Sequence, residues 1–343
     1  MIAAQVKPLV RRALEERARR ERALPRFRTG PQTGAPTIYY LTPDYNVPSG
    51  GIRAEYKHVD LLNAAGLGAS VLHHASGFAC DWFPHATRIA AAADVVLGPE
   101  DVLVVPEIYG PHLDKLPDRP ALVAFNQNAY LTFDRVPAGQ AVRYDAFARA
   151  LTVSPDSAEF LRFAFPGLDV RVVPNAIDPD VFHPAGTPPP GRTLALMPRK
   201  RPAEADQVLR LLGDRLDGWD VVTIAGGSEA DVAAAMRGAA IFLAFGHQEG
   251  FGLPPAEAMA SGCYVIGFPA FGGREVFDPA FSAPIEDGDV LAMARAVVAA
   301  VEAYERDPAA LRATAALGTA HVRATFPPER QRAELLSAFA GLR

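Results

Sequence analysis

The amino-acid sequence predicts an α/β protein with two Rossmann-like domains, each built on a parallel sheet. Three observations lead to this prediction. The chain has 343 residues, which is enough for two domains of ordinary size. Short apolar runs of strand length alternate with amphipathic segments of helix length, which is typical of parallel sheets covered by helices. Glycine-rich turns also stand between a predicted strand and a predicted helix in each half of the chain.

Composition and charge narrow the class of protein. The apolar fraction of 49% is ample for two cores, and the net charge of −5 gives no reason to expect nucleic acid as a partner. Cys80 and Cys263 are far apart and lack metal-ligand spacing, so we expect reduced thiols and a cytoplasmic location. We expect neither a membrane span nor a signal peptide, because the apolar runs are too short.

Residues 1–34 differ from the rest of the chain and are predicted to form a basic arm. The segment is rich in arginine, favours helix, and is followed by the breaker-rich TGPQTGAP. Two interpretations stay open. One is a solvated arm or an oligomer contact. The other is an interfacial helix that lies peripherally on anionic lipid at the inner face of the membrane, with an apolar stripe of Val6, Leu9, Val10, Ala13 and Leu14.

The first predicted domain covers residues 35–182. It opens with a strand at 37–42, a turn at Gly50 and Gly51, and a helix that closes at Gly66. Further strands are predicted at 70–73, at 94–97 or 102–105, at 121–125 and at 151–153. Ligands of an open parallel sheet bind at the carboxyl ends of its strands. The polar residues that follow the apolar runs are therefore binding candidates: Asp44, His73, His74, Glu107, Asn126, Gln127, Asn128 and Ser154.

A proline-rich linker over residues 183–192 leads to the second predicted domain, residues 193–327. A strand at 193–197 runs into the basic cluster PRKRP. Arginine and lysine directly after a strand are well placed to bind phosphate, although a solvated surface cluster remains an alternative. The next predicted elements are a helix at 203–216, a strand at 220–225 that ends in a glycine pair, and a helix at 229–237.

Residues 241–271 form the stretch around which we expect the chemistry. Apolar runs at 241–245 and 263–268 predict two buried strands, and EGFGLPPAEAMASG lies between them. Proline in the first helical turn and Gly262 at the end mark a helix, and a carboxylate such as Glu257 favours the positive helix end. Gly250 and Gly252 come just before this helix, where bare amides and the helix dipole can bind an anion such as phosphate.

The motif EGFGLPPAEAMASG, with seven residues between Glu249 and Glu257, resembles the signature of family-4 type retaining glycosyltransferases (glycosyl transferases group 1). The resemblance covers about residues 37–330 and is weakest at 203–237, where the chain has room for one strand-helix unit instead of two. It implies the GT-B fold, in which two Rossmann-like domains face each other across a cleft. It also implies a last helix, residues 328–343, that crosses back to the first domain.

By this resemblance the protein is an enzyme of glycan or glycoconjugate biosynthesis. It would move a sugar from a nucleotide diphosphate sugar to an acceptor hydroxyl with retention at the anomeric carbon. The second domain would bind the donor, and the first domain would bind a glycan, lipid-linked or small-molecule acceptor. We expect no metal, because Asp178 and Asp180 lie in a proline-bracketed turn without further oxygen ligands, and no cofactor besides the sugar-nucleotide substrate.

The resemblance also implies residue roles. Arg199 and Lys200 would neutralise the donor diphosphate, with Arg201 as a near competitor, and Glu249 would contact the donor sugar. Arg199, Lys200 and Glu249 are thus the predicted catalytic residues, and Glu257 would accept hydrogen bonds from the ribose. The predicted donor-binding set is Gly50, Gly51, Gly226, Gly227, Gly250, Phe251, Gly252, Leu253, Glu257, Gly272 and Gly273, with Glu275 nearby.

The acceptor side departs from the family pattern. The family usually has a histidine after the strand that here ends in FNQNAYLTF, and this chain has an amide cluster instead. The acceptor-side candidates are Asn126, Gln127, Asn128, His73 and Glu107. Two other functions stay open: an epimerase or phosphorylase on the same fold, and a non-enzymatic sugar-nucleotide-binding or scaffold protein.

Overall fold

The computed structural model describes residues 23–134, 136–186 and 191–342. Most of the predicted basic arm lies outside these residues. The chain divides into two compact units. Unit 1 contains the described residues up to Thr152, together with Ala158–Arg171 and the described residues from Leu335 onward. Unit 2 contains Val153–Ser157 and Val172–Glu334.

Unit 1 is built on a seven-stranded sheet with the strand order β4-β3-β2-β6-β7-β8-β9. The registered pairs from β4 across to β8 are all parallel. The elements in chain order are β1 Arg28–Thr29, β2 Ile38–Leu41, α1 Gly50–Ala64, β3 Ala69–His73, β4 Ile89–Ala91, β5 Val96–Leu97, β6 Val102–Pro106, β7 Ala121–Asn126, β8 Arg149–Thr152, α2 Pro155–Ala164 and β9 Val170–Val172.

The strand order of unit 1 reverses between β2 and β6. From β2 the chain adds β3 and β4 on one side, and it then returns to the other side of β2 to add β6 to β9 in sequence. Such a reversal is the point where doubly wound sheets bind their ligands, beyond the carboxyl ends of the strands. The polar residues after β2, β6 and β7 therefore occupy the favoured place in this unit.

The start of unit 1 and one of its strands differ from the sequence prediction. The predicted arm extends to residue 34, but β1 within it pairs in parallel with β5, and Gln32 donates a hydrogen bond to Asp101. Of the two alternative strands, residues 102–106 join the main sheet and residues 96–97 pair with β1 instead. Strand β4 was not predicted, because its Ile-Ala-Ala sequence has little β-propensity.

Unit 2 is built on a five-stranded parallel sheet with the order β11-β10-β12-β13-β14. A single strand-helix unit, β11 with α4, stands between the basic cluster and β12, as predicted. The elements are β10 Thr193–Met197, α3 Pro202–Leu212, β11 Asp220–Thr223, α4 Glu229–Arg237, β12 Ile241–Phe245, α5 Leu253–Ala260, β13 Tyr264–Phe268, β14 Ser282–Pro284, α6 Val290–Arg306, α7 Pro308–Thr325 and α8 Pro328–Phe339.

Buried strands and side-chain helix caps stabilise unit 2. Every residue of β12 is buried, and so are Ile266 and Phe268 of β13. Side-chain caps begin the long helices: Asp289 accepts the amide of Ala292 at α6, and Asp307 accepts two amides at α7. The predicted helix over 203–216 is shorter than expected, since α3 ends at Leu212 and a separate 3₁₀ turn follows.

Helices α2 and α8 are each divided between the two units. In α2 the residues from Ala158 onward group with unit 1, and in α8 the residues from Leu335 onward do so. The preceding residues of each helix group with unit 2. In unit 1, the guanidinium of Arg149 donates to the backbone oxygens of Ala338 and Ala340.

Cys80 and Cys263 are free, buried thiols. Within the described ranges, no helix is both long and apolar enough to cross a lipid bilayer.

Candidate active site

The loop after β12 is held against the loop after β13 by backbone hydrogen bonds. The amide of Glu249 donates to the carbonyl of Ala270 at 2.9 Å, and the amide of Gly272 donates to the carbonyl of Glu249 at 3.0 Å. At Gly272 the two loops approach so closely that an added Cβ would overlap the carbonyl oxygen of Gly250. Glycine is thus required at position 272, and two predicted donor-binding segments form one structure.

Two of the predicted catalytic residues form an ion pair in this structure. Lys200 Nζ lies 2.7 Å from Glu249 Oε2, and the two side chains are 33% and 22% exposed. This partial exposure leaves both groups accessible to a ligand. The pair joins the turn after β10 to the turn after β12, which are neighbouring strands of the sheet. A cation and a carboxylate thus stand together at the carboxyl edge of unit 2.

The other two members of the basic cluster have different environments. Arg199 is exposed on the same turn as Lys200. Arg201 is buried, with its guanidinium donating to the carbonyl of Gly246 at 2.8 Å and to Asp287 Oδ1 at 2.6 Å. It also lies 5.1 Å over the ring of Phe268. Arg201 therefore braces the turn after β12, and Arg199 and Lys200 are the accessible cations of the cluster.

Helix α5 begins directly behind the glutamate turn with an open N-terminus. Gly252 has a left-handed backbone with φ of +84° and, as a glycine, has no side chain to cap the helix. The prolines at positions 254 and 255 have no amide hydrogen, so the N–H groups at this end that the helix itself does not use belong to Gly252 and Leu253. These amides and the helix dipole favour an anion at this end.

The residues around α5 divide into core and surface. The ring of Phe251 is buried and packs edge to face against Phe326 with ring centroids 4.9 Å apart. Its side chain is therefore part of the core, and only its backbone remains for donor binding. Glu257 lies half-buried in the second turn of α5. From α7, Thr319 donates to the carbonyl of Met259 at 2.7 Å, which holds the far end of α5.

The glycine pair after β13 adjoins a carboxyl group with a shifted pKa. Gly272 and Gly273 are buried in a short 3₁₀ turn that ends at Glu275. Burial raises the pKa of Glu275 to about 7; the positive charge of Arg330 opposes this rise, and the negative charge of Asp156 adds to it. Glu275 therefore changes its charge near neutral pH, one turn away from the predicted donor-binding glycines.

The glycine pair after β11 is a weaker anion site than α5. Gly226 and Gly227 are exposed ahead of α4. However, a capping box already occupies the first amides of α4: the side chain of Ser228 accepts the amide of Asp231, and the side chain of Asp231 accepts the amide of Ser228. Any donor contact at this turn is thus left to the backbone of the glycines themselves.

In unit 1, the predicted acceptor-side residues Glu107 and Gln127 meet the glycine turn. The amide of Gln127 donates to Glu107 Oε2 at 3.1 Å. The side chain of Gln127 donates to the carbonyl of Gly51 at 3.2 Å and lies 3.4 Å from Glu55 Oε1. Gly50 and Gly51 form the start of α1, where Ser49 makes no capping hydrogen bond. These hydrogen bonds bring the ends of β6 and β7 together with the start of α1.

The two asparagines of the amide cluster, Asn126 and Asn128, form hydrogen bonds within the loop after β7. Asn126 is fully buried, and its side-chain amide donates to Thr132 Oγ1 at 2.7 Å and to the hydroxyl of Tyr144 at 2.9 Å. Asn128 accepts the amide of Tyr130 and begins a 3₁₀ turn. Of the three residues that stand where the family usually has a histidine, Gln127 is the one directed toward the glycine turn.

The adjacent histidines after β3 belong to an internal hydrogen-bond network. His73 is buried and its ring contacts the hydroxyl of Tyr56 at 2.7 Å and Asp44 Oδ1 at 3.1 Å. Burial lowers the pKa of His73, although the charge of Asp44 opposes this effect. His74 contacts the hydroxyl of Tyr109 at 2.8 Å. With both ring nitrogens of His73 engaged, this side chain orders the loop and does not face an acceptor.

Glu55 is a polar residue of this edge that the sequence analysis did not single out. It lies on α1 with only 3% of its surface exposed, beside the ends of β6 and β7. The missed signal was a helical stripe: Ile52, Glu55, Val59 and Leu62 share the buried face of α1. A glutamate in the middle of an apolar stripe indicates a buried carboxyl.

Two doubly wound units define the class of protein that this chain represents. In unit 2, a lysine–glutamate pair stands beside an open helix N-terminus; in unit 1, polar groups gather where the strand order reverses. This combination is the one expected of the GT-B fold.

Comparisons with known proteins agree with this class. Residues 192–303 match the family model of the Glycosyl transferases group 1. Over 268 residues the chain is 28% identical to an alpha-1,6-glucosyltransferase of Actinobacillus pleuropneumoniae serotype 7 (strain AP76), which covers 75% of this chain and 81% of that protein.

Solved structures share the fold. Sucrose-phosphate synthase from Thermosynechococcus elongatus aligns with a TM-score of 0.64 at 14% identity, covering 88% of this chain and 98% of that one. Anabaena Alr3699/HepE, solved in complex with UDP and glucose, aligns with a TM-score of 0.61 at 13% identity, covering 88% and 98%. The predicted GT-B fold and the resemblance to group 1 glycosyltransferases are confirmed. The comparisons also support glycosyltransferase activity.

Proposed function

We propose that this protein is a retaining glycosyltransferase that moves a sugar from a nucleotide diphosphate sugar to an acceptor hydroxyl in glycan or glycoconjugate biosynthesis. The observation that carries the proposal is the Lys200–Glu249 pair at 2.7 Å beside the open N-terminus of α5. Cations and helix amides bind a diphosphate, and a carboxylate accepts hydrogen bonds from sugar hydroxyls. Both halves of a sugar nucleotide thus have a partner in unit 2.

The chemical step depends on stabilising the departing diphosphate. Arg199 and Lys200 supply positive charge, and the amides of Gly252 and Leu253 supply oriented dipoles. Groups that are already in position when charge develops contribute strongly to catalysis. Glu249, held by Lys200, positions the donor sugar, and Glu257 accepts hydrogen bonds from the ribose. In a retaining reaction of this type the leaving phosphate takes the proton of the acceptor hydroxyl.

The same cations make a metal unnecessary for the proposed reaction. Among the described residues, no group of three or more histidine, cysteine or acidic side chains is arranged to hold a metal ion. Asp178 accepts the amide of Asp180 at 2.9 Å, which explains that acidic pair as part of a turn. The proposal therefore assigns charge neutralisation to protein side chains and includes no cofactor.

Two relatives suggest which donor to test first. HepE was solved with UDP and glucose, and the Actinobacillus relative is named as a glucosyltransferase. We propose UDP-glucose as the first candidate donor. The acceptor is a glycan, a lipid-linked sugar or a small molecule, and the basic arm adds a contact with anionic membrane at the cytoplasmic face.

The test combines binding and turnover. A thermal-shift screen with uridine, guanosine, adenosine and thymidine diphosphates identifies the base, because a ligand of the native state raises its apparent stability. The full chain is then incubated with the matching sugar nucleotide and an acceptor panel in EDTA. We expect release of the nucleoside diphosphate and a product whose anomeric configuration by NMR equals that of the donor. Inversion, or loss of turnover in EDTA with rescue by magnesium, contradicts the proposal.

Two results of the same experiment favour the alternatives. Free epimerised sugar in the absence of acceptor favours an epimerase on this fold. Tight nucleotide binding with no turnover over a broad acceptor panel favours a non-enzymatic sugar-nucleotide-binding protein.

A further inference from the structure

A mixed carboxyl and amide cluster lies at the strand-order reversal of unit 1. Glu55 comes from α1, Glu107 follows β6, and Gln127 follows β7. Strand β6 is the neighbour of β2 and of β7 in the sheet. The three side chains thus gather at the edge where a doubly wound sheet binds its ligand. The buried carboxyl of Glu55 has no assigned role in the reaction described above.

The cluster contains hydrogen-bonding capacity that the described protein atoms do not use. Glu55 Oε2 is buried and has no hydrogen-bond partner among the described residues. Buried polar atoms without a partner cost free energy, so each requires an explanation. The oxygen of Glu55, at the edge where such sheets bind ligands, points to a polar ligand.

The surroundings of Glu55 shift the pKa of its carboxyl group. Burial raises the pKa of Glu55 well above its ordinary value; the nearby hydroxyl of Thr42 opposes this rise, and the charge of Glu107 adds to it. Burial therefore favours the neutral carboxylic acid form of Glu55, which donates one hydrogen bond and accepts others. Glu107 accepts the backbone amide of Gln127, as a carboxylate does.

A sugar hydroxyl fits this arrangement better than the present partner of Glu55 does. Gln127 Nε2 lies 3.4 Å from Glu55 Oε1, which is at the outer limit of a hydrogen bond. Gln127 and Gly51 are partly exposed, so the cluster has an outer side that solutes reach. A hydroxyl can replace the long Gln127 contact with a shorter one, since it both donates and accepts.

We propose that Glu55 and Glu107 bind an uncharged or cationic, hydroxyl-bearing part of the acceptor sugar and exclude phosphate and carboxylate groups from that place. The proposal rests on the proposed function, because it specifies the acceptor class of the same enzyme. The neutral acid donates to a ring hydroxyl, and the carboxylate accepts from a neighbouring hydroxyl or an amine. An anionic substituent there would meet the charge of Glu107 in a site with little water.

The test measures binding of three probes to the full chain by saturation-transfer NMR without donor. The probes are methyl α-D-glucopyranoside (neutral), glucosamine (cationic) and glucose 6-phosphate (anionic). We expect the neutral and cationic probes to bind at least tenfold more tightly than the anionic probe. Glu107→Gln removes the charge, and its binding of glucose 6-phosphate should come within about threefold of the neutral probe.

Variants of Glu55 separate a binding role from a structural one. Glu55→Gln keeps a neutral group that donates and accepts, and it should bind the neutral probe within about threefold of the wild type. Glu55→Leu should lose at least tenfold in binding of this probe. Glu159→Gln, at an exposed glutamate of unit 1, is the matched control and should behave as the wild type. Thermal unfolding of each variant shows which of them fold.

Several outcomes overturn the inference. These are equal binding of the anionic and neutral probes by the wild type, absence of binding by all three probes, and no change of charge preference in Glu107→Gln. If Glu55→Leu fails to fold, the Glu107→Gln result alone still decides. UDP binding is measured separately by thermal shift: UDP binding without the expected sugar preference rejects this inference alone, whereas the sugar preference without binding of any nucleoside diphosphate rejects the proposed function alone.

Discussion

The ion pair between Lys200 and Glu249 joins the cation proposed to bind the diphosphate to the carboxylate proposed to bind the sugar. With Nζ and Oε2 2.7 Å apart and both side chains partly exposed, the pair adds little to stability. Its importance lies in geometry, because Lys200 holds the carboxylate of Glu249 where the donor sugar is expected. The resemblance predicted the two roles separately, and the structure places the two side chains in contact.

Removing either accessible cation should slow turnover far more than it affects folding. Arg199→Ala and Lys200→Ala should each reduce kcat by roughly a hundredfold, as when one preorganised donor to a developing anion is lost. The melting temperature should change little in either variant. The double variant of Lys200 and Glu249 should lose less than the product of the single effects, because contacting residues are not additive. Strict additivity would show that the ion pair is irrelevant to turnover.

The two glutamates of the motif should divide the donor between them. Glu257→Ala should weaken binding of the bare nucleoside diphosphate by about 1.5–3 kcal/mol, the value of a hydrogen bond to a charged group. Glu249→Ala should leave that affinity nearly unchanged and impair use of the intact sugar nucleotide. Calorimetric titration with both ligands checks this division. Equal weakening of both ligands by both substitutions is the contrary result.

The buried carboxyl of Glu275 should make stability depend on pH. Its folded-state pKa is raised to about 7 from an ordinary value of 4.5, so between these pH values the unfolded chain binds fewer protons than the folded one. The stability contributed by the protonated group is complete below about pH 4.5 and is lost as the pH rises through 7.

Glu275→Gln should remove this loss. Relative to the wild type, the variant should gain stability between acidic pH and pH 8, as measured by urea unfolding at several pH values. Glu286→Gln, at an exposed position of unit 2, is the control and should follow the wild-type profile. If the Glu275→Gln profile parallels the wild type across this range, Glu275 does not titrate with the raised pKa.

At the scale of elements, α5 and its flanking strands could be predicted because prolines and glycines fix their boundaries. Pro254 falls in the first turn of α5, Gly252 precedes it in a left-handed conformation, and both neighbouring strands are apolar runs. Strands β1 and β4 and the pairing of β1 with β5 could not be predicted, because β1 and β4 have only two or three residues and no alternating pattern. Their pairing depends on distant partners that a local reading of the sequence does not reveal.

The site was predictable to different depths in the two units. In unit 2 the prolines and glycines of the glutamate motif determine its local backbone conformation. The candidate residues could therefore be identified from one continuous stretch of sequence. In unit 1 the binding edge combines α1, β6 and β7, which are far apart in sequence. Whether a polar residue there faces a ligand or the interior depends on packing, and His73 and Asn126 prove to face the interior. Glu55 could have been found from its position in an apolar helical stripe.

The close approach between the loops after β12 and β13 should tolerate no side chain. Gly272→Ala places a Cβ against the carbonyl of Gly250, so the loops must separate and the backbone around Glu249 must shift. We expect a lower melting temperature and at least a tenfold loss of nucleoside diphosphate affinity. Gly191→Ala, where an added Cβ meets no atom within 4 Å, is the control and should change neither quantity. Retained affinity in Gly272→Ala would mean that these loops do not form the donor site.

At the scale of the whole molecule, the boundary of the basic arm determines how its role can be tested. The sequence suggested an arm of residues 1–34, but β1 and Gln32 belong to the fold of unit 1. Removing all 34 residues would break the β1–β5 pair and confuse a folding defect with a loss of membrane contact. A deletion of residues 1–22 removes the arginine-rich segment and spares every described residue.

Deleting residues 1–22 should weaken binding to anionic membranes without affecting the enzyme itself. Binding of a basic amphipathic segment combines buried apolar area with attraction to anionic lipid, and salt screens the second contribution. Sedimentation with phosphatidylglycerol vesicles should therefore fall in the deletion variant, and for the full chain it should fall as salt rises. Phosphatidylcholine vesicles are the control and should retain little of either form. UDP binding and turnover with a water-soluble acceptor should stay within about twofold, because unit 2 is intact. If the deletion variant sediments with anionic vesicles as well as the full chain does, the arm is not the membrane contact.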